Sequence, residues 1–296
     1  MARKIGIIGA GRLGCSIAYA LYLKGYPVAG VYSKSAESQA YLCSKLNQLL
    51  NNDLTETVKQ SDVIFITVPD SQIAIAAADI ARKVGQSHIC GKFFFHMSGA
   101  LTSDELISIR RQGGYTGSLH PIQSIADKDT GWKVLDDIYF GFEGCDGVKN
   151  MACNIVDALN SRILTLKKED KTLYHTAACI LSNYMVTLSY ITGTLLNGIG
   201  IDGGRGIRAF IPLMENTLGN IRDFGCENAL TGPVSRGDVN VVEGHIKALS
   251  EKGYDAVVNL YKTLGLATTE IALARGSIDE NAAGKLKEIL AEGTKS

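Results

Sequence analysis

The stretch GIIGAGRLG, residues 6–14, sets Gly9, Gly11 and Gly14 in the spacing G-x-G-x-x-G. Alone, that spacing says little in a chain with 32 glycines. Its surroundings give it meaning. Lys4 to Ile8 reads as a short apolar strand, and GCSIAYALYLKGY, which begins at Gly14, reads as an amphipathic helix stopped by Gly25. A glycine turn between strand and helix brings backbone N–H groups and a helix N-terminus up to a pyrophosphate. The stretch therefore predicts a dinucleotide held by Gly9, Gly11, Arg12, Leu13 and Gly14.

The end of the second strand, Val28 to Tyr32, says which dinucleotide. A free ribose 2′-hydroxyl calls for an Asp or Glu there. The chain instead reads VYSKSAES, with Ser33, Lys34 and Ser35 at the strand end and its first acid at Glu37. A carboxylate would repel a 2′-phosphate, whereas a lysine and two hydroxyls suit it. The expected cofactor is NADP(H). TVPDSQI, residues 67–73, ends the third strand with Val68 and Pro69 at the cofactor's border.

Further strands are expected over Asp62 to Val68, Lys92 to His96, Tyr115 to Leu119, Ile138 to Phe142 and Ile163 to Leu166. Helical stretches alternate with them, the pattern of a doubly wound sheet. From residue 169 helical periodicity takes over, about 169–198, 204–223, 238–251, 254–275 and 279–292. The expected fold class is α/β, an N-terminal Rossmann doubly wound parallel sheet followed by an all-α C-terminal domain. Its expected domains are an NADP-binding domain over 1–167 and a helical substrate and dimerisation domain over 168–296, with the cleft between them as the default site.

Thirty basic and thirty acidic residues cancel over 296 positions, so nothing steers the chain toward nucleic acid or an anionic membrane. Seven scattered cysteines, none spaced C-x-x-C, argue against disulfides and zinc. No signal-peptide pattern precedes the glycines, and a cytoplasmic location with no bound metal is expected. From Thr176 to Ile201 the chain carries no charge. That run is long enough to span a bilayer, but its Ser, Thr, Asn and Gly content favours a buried central helix at a subunit interface. A homodimer through the helical domain is expected, with no membrane contact.

Candidate site residues cluster at strand ends, which border the ligand crevice in open α/β sheets. FFFHMSGALTSDEL brings His96, Ser98 and Gly99, and GSLHPIQSIAD brings His120, Gln123 and Ser124. His96 reads equally well as a satisfied core residue. In EDKTLYHTAACILSNYM, Lys171 and His175 share a helix face, about 40° apart in projection. Ser182 falls on that face and Asn183 about 80° round from His175. A cation and a proton donor aimed together suit one task, stabilising the oxygen that becomes negative when hydride attacks a carbonyl. In LTGPVSRGD, Arg236 on a rigid turn could grip a carboxylate, and Asp238 reads as an N-cap.

Five segments in order, GAGRLG, HMSGAL, GSLHPIQS, YHTAACILSNY and LTGPVSRGD, carry a resemblance that covers essentially the whole chain. It resembles a family of bacterial Rossmann-like proteins with a C-terminal helical domain of unknown function, related to the 6-phosphogluconate dehydrogenase-like reductases. Some members are implicated as ketopantoate reductases, which make pantoate with NADPH for pantothenate biosynthesis. The better-known ketopantoate reductases carry a catalytic lysine early in the helical domain, followed at four-residue spacing by asparagines, with a glutamate later. Lys171 matches that lysine by position, but His175 and Cys179 stand where asparagines would be. The resemblance leaves Lys171 and His175 both open as proton donor.

The reading that results is a NADPH-dependent reductase of a small 2-keto acid, most plausibly ketopantoate. Lys171 or His175 would protonate the alkoxide, His120 border the reacting carbon, Ser98, Gln123 and Asn183 orient the substrate, and Arg236 bind its carboxylate. Reduction of a cyclic imine, as in pyrroline-carboxylate reductases, is the alternative enzyme reading, disfavoured by a cationic Lys171 in the cleft. A non-catalytic NADP(H)-binding regulator is the alternative of another class.

Overall fold

The computed structural model describes residues 3–48 and 52–291. Seven strands, β1 (Ile5–Ile8), β2 (Val28–Tyr32), β3 (Val63–Ile66), β4 (Phe93–His96), β5 (Tyr115–Pro121), β6 (Tyr139–Gly144) and β7 (Arg162–Thr165), form one sheet. Its order is β2-β1-β3-β4-β5-β6-β7. All seven lie where the apolar runs place them, and β1 to β5 are parallel. The sheet departs from the expected all-parallel form at β6, which runs antiparallel to β5 and takes the parallel β7 with it. The cause is local. The β5–β6 connection holds only a short 3-10 stretch, Gly131–Leu135, and no crossover helix to carry the chain back to a parallel start.

The sheet's helices are α1 (Arg12–Leu23), α2 (Ala36–Lys45), α3 (Leu54–Gln60), α4 (Asp70–Val84), α5 (Gln86–Ile89), α6 (Ile107–Arg110) and α7 (Lys149–Ala158). Strand alternation sends Val63 and Phe65 of β3 to the face covered by α1 and α7, and Ile64 and Ile66 to the face covered by α4 and α6. Both faces are dry, which is why these strands read as unbroken apolar runs. Between β2 and β3 the chain moves from one side of β1 to the other, which puts the switch point of the sheet at the carboxyl ends of β1 and β3.

The chain divides into two compact units, residues 1–183 and 184–296. The division falls inside α8 (Lys171–Asn197), so residues 171–183 of that helix belong with the sheet. The second unit comprises the rest of α8 with α9 (Gly203–Ala229), α10 (Val239–Glu251), α11 (Asp255–Ala274) and α12 (Glu280–Ala291). Val242, Ala272, Leu286 and Leu290 are fully buried in its core. The backbone of α9 leaves helical geometry at Gly225, φ +77°, just beyond the expected helix end at residue 223.

The uncharged helix is not buried within the single chain. Leu173, Leu181, Val186 and Tyr190 of α8 are each more than 70% exposed. By length and composition, 168–197 is the one helix among the described residues that could cross a membrane.

Candidate functional site

The first unit carries two cavities along the carboxyl ends of its strands. The first, of about 380 Å³, lies at the switch point. Gly9 follows β1 with φ +105°, and a Cβ there would sit 2.9 Å from the Thr67 carbonyl, so the turn needs glycine on both counts. A Cβ on Gly14 would lie 2.0 Å from the Gly9 oxygen, which lets α1 start directly over the turn. Gly11 is the N-cap of α1 and supplies no side-chain acceptor, so the N–H groups of the first turn have no capping partner. That arrangement fits a pyrophosphate.

Gly9, Gly11, Ser33, Lys34, Ser35, Val68 and Pro69 border this cavity. Arg12, Leu13 and Gly14 do not. The first turn of α1 carries Gly14 against the Gly9 oxygen and Leu13 onto the core, and leaves Arg12 exposed. Thr67 and Ser38 border the cavity without having been singled out. Thr67 donates to the Gly9 oxygen at 2.6 Å, a bond that exists only once β1 and β3 are neighbours.

The second cavity, of about 420 Å³, is bordered by His120, Gln123, Ser124, His175, Cys179 and Asn183 among others. His120 sits at the end of β5 with Nδ1 2.8 Å from the Tyr174 hydroxyl. The His175 ring stands nearly perpendicular to it, centroids 5.9 Å apart. Both imidazoles close over Gly99. A Cβ there would lie 2.5 Å from His175 Nδ1 and 3.0 Å from His120 Nε2. His175 Nε2 is 3.6 Å from Cys179 Sγ, and its buried Nδ1 has no hydrogen-bond partner. Buried polar atoms left unpaired are uncommon and call for a reason.

Burial, helped by the positive charge of Lys171, pushes the His120 imidazole down to about 4, so the ring is neutral near pH 7. Burial pushes the Tyr174 phenol up to about 12. A neutral ring carries one N–H and one acceptor nitrogen. With Nδ1 taken by Tyr174, Nε2 is the nitrogen that His120 can offer to the cavity.

Lys171 is not where the helical projection suggests. It is fully buried and does not border the cavity. Its Nζ donates to the Ser98 carbonyl at 3.0 Å and the Ser118 hydroxyl at 2.5 Å. Burial pulls its ammonium down to about 8, against the opposing charges of Glu143 and Asp70. A projection keeps angle but discards height, and one turn nearer the start of α8 lies beneath the strand ends.

Ser98 is likewise committed. Its hydroxyl donates to Asp70 Oδ2 at 2.7 Å and accepts from the amides of Ala100 and Leu101. His96 is a satisfied core residue, its Nε2 2.9 Å from the Thr102 carbonyl oxygen. Arg236 belongs to the second unit, where its guanidinium is largely exposed and pairs with Asp238 at 2.9 Å. Asp238 precedes α10 as expected, but its side chain makes no capping bond. Tyr174 went unnoticed because it lies about 100° from its neighbour His175 in projection. Among the described residues no group of three His, Cys, Asp or Glu side chains could hold a metal ion.

Comparison with known proteins agrees with this architecture. Residues 1–121 match the sequence model of a Rossmann-like domain, and residues 138–268 match that of a domain of unknown function, DUF2520. No curated protein matches the chain. Among solved structures, BF3122 of Bacteroides fragilis, assigned as an NADP oxidoreductase, shares 22% identity over 91% of this chain and 98% of its own, TM-score 0.70. Protein TM1727 of Thermotoga maritima shares 26% over 92% of this chain and 99% of its own, TM-score 0.70. A 1-pyrroline-5-carboxylate reductase of Streptococcus pyogenes shares 13% over 97% of this chain and 99% of its own, TM-score 0.61. The fold is that of these proteins.

Proposed function

We propose that this protein, which joins a Rossmann-like domain to a DUF2520 domain, is an NADP(H)-dependent reductase of a small 2-keto acid, with ketopantoate as the substrate to try first. The observation that carries the reading is the run of strand ends from the glycine turn to His120. Along it lie a cavity bordered by the glycine turn, Lys34 and serines, which suits a dinucleotide, and a second cavity walled by a neutral imidazole. The NADP oxidoreductase assignment of BF3122 agrees with it at the level of cofactor class.

Bound NADPH supplies the hydride. As the carbonyl carbon receives it, the C=O electron pair moves to oxygen, which takes the proton of His120 Nε2. Nδ1 takes the Tyr174 proton in turn, and solvent restores the phenol. A phenol pushed up to about 12 holds its proton near pH 7 and so fixes the ring proton on Nε2 between turnovers. Gln123, Ser124 and Asn183 offer donors to the substrate's carboxylate and carbonyl. Lys171 acts from behind, holding the Ser98 carbonyl and the Ser118 hydroxyl beneath the two histidines. The ketopantoate choice rests on the family resemblance of the sequence.

NADPH oxidation by the purified protein over a panel of 2-keto acids tests the reading. Turnover of at least one supports it, and cofactor binding without turnover of any overturns it. Imine reduction gains from one observation. With Lys171 withdrawn, no cation among the described residues borders the second cavity to repel an iminium. Faster turnover of pyrroline-2-carboxylate than of any keto acid would establish that alternative.

The exposed apolar residues of α8, together with Leu213 and Phe224 of α9, support a homodimer through the helical region. Light scattering at micromolar concentration without detergent tests it, and a monomeric mass would count against it.

A further inference from the structure

This inference rests on the NADP(H) reading and deepens it. Lys128 lies in the β5–β6 connection, 90 residues from Ser38, yet its Nζ is 3.1 Å from the Ser38 hydroxyl. Ser38 is in the first turn of α2 and borders the dinucleotide cavity beside Ser33, Lys34 and Ser35. We propose that Lys128 is a second determinant of coenzyme choice, acting with Lys34 on the ribose 2′-phosphate through Ser38.

A serine hydroxyl has one proton to donate and lone pairs to accept with. The Lys128 ammonium donates to a lone pair, so the Ser38 proton turns away from it and toward the cavity, where a phosphate oxygen can accept it. The ammonium also brings positive charge to the Ser38 edge of the cavity. Among the described residues, neither Lys34 nor Lys128 forms an ion pair.

Acids on the same loop are otherwise engaged. Asp129 accepts from the Tyr41 hydroxyl, and Asp127 Oδ1 closes a turn on the amides of Asp129 and Thr130. The loop is fixed to α2 by Lys45, whose Nζ donates to the Lys128 carbonyl at 3.2 Å and the Asp129 carbonyl at 2.6 Å. The Lys128 ammonium further lies 5.7 Å from the Tyr41 ring centroid. An ammonium placed in advance loses little freedom when an anion arrives. A coenzyme with a plain 2′-hydroxyl offers no anion, so Lys128 favours the phosphorylated form alone.

Dissociation constants of NADPH and NADH for the full chain, by fluorescence titration, test this on wild type, Lys128→Gln, Lys128→Arg and Lys34→Gln. Lys128→Gln is expected to weaken NADPH about tenfold, the loss of one charge-assisted contact. NADH binding stays within about twofold, and Lys128→Arg keeps most of the preference. In about 0.5 M salt the gap between wild type and Lys128→Gln narrows. Equal weakening of both coenzymes by Lys128→Gln, or NADPH binding unchanged in Lys128→Gln while the wild type prefers NADPH, overturns the role of Lys128 alone. A wild type without preference for NADPH, unaltered by Lys34→Gln, overturns the NADP(H) reading as well.

Discussion

The Tyr174 hydroxyl lies 2.8 Å from Nδ1 of His120, and the two rings meet edge to face with centroids 5.8 Å apart. A strand end and a helix are thus joined by one hydrogen bond. Tyr174→Phe keeps the ring packing and removes that bond. It is expected to lower kcat roughly 10- to 100-fold while leaving KM and the NADPH dissociation constant near wild type. An unchanged kcat would separate Tyr174 from the chemistry.

Gly99→Ala places a methyl where His175 Nδ1 and His120 Nε2 already stand. Both imidazoles sit on short, packed side chains, so relief means moving rings away from the cavity. Turnover should fall at least ~100-fold, because an ångström of misplacement is enough for that. Coenzyme titration should be unaffected, since Gly99 does not border the dinucleotide cavity. Equal loss of coenzyme binding would mean that the two cavities do not act separately.

Lys171→Met fills much the same volume but removes two charge-assisted hydrogen bonds, leaving the Ser118 hydroxyl as the remaining donor to the Ser98 carbonyl. Stability in urea should drop by about 1.5–3 kcal/mol, the worth of a hydrogen bond to a charged group. Residual activity at low temperature should persist if Lys171 holds the site from behind. Complete loss of turnover in a fully folded Lys171→Met protein would return the lysine to the role of proton donor.

Stability should fall on acidification. Burial pushes both His96 and His120 down to about 4 from an ordinary value of 6.5. Between those values the unfolded chain binds protons that the folded chain refuses, so stability is full above about pH 6.5 and is lost as pH falls toward 4. Each ring accounts for a loss on the order of 3 kcal/mol. Lys171, pulled down to about 8, works at the other end, adding stability as pH rises from about 8 toward 10.5. Urea midpoints measured from pH 4 to 10 check both limbs, and His120→Asn should flatten the acid limb.

Part of the candidate site was legible from residue types at strand ends. His120 and Gln123 border one cavity, and Ser33, Lys34 and Ser35 the other, because the carboxyl ends of parallel strands must face the same edge of the sheet, while His175 and Asn183 of α8 reach the His120 cavity by helical spacing. Lys171 and Ser98 do not border the His120 cavity, for a common reason. A lysine and a serine look free in a sequence, and only the packed structure shows which acceptors and donors have claimed them. Lys128 carried no local signal at all, since its partner lies 90 residues away.

The sequence by itself determined the strands, the glycine turn and the helical second half, because local apolar periodicity and backbone permissiveness act over a few residues and survive in the one-dimensional record. The tertiary structure alone decided the reversed direction of β6 and β7, the burial of Lys171 and the pairing of His120 with Tyr174. Each of these depends on how distant segments are brought together and on which polar atoms lose water there. That competition for partners is settled only when the chain is packed.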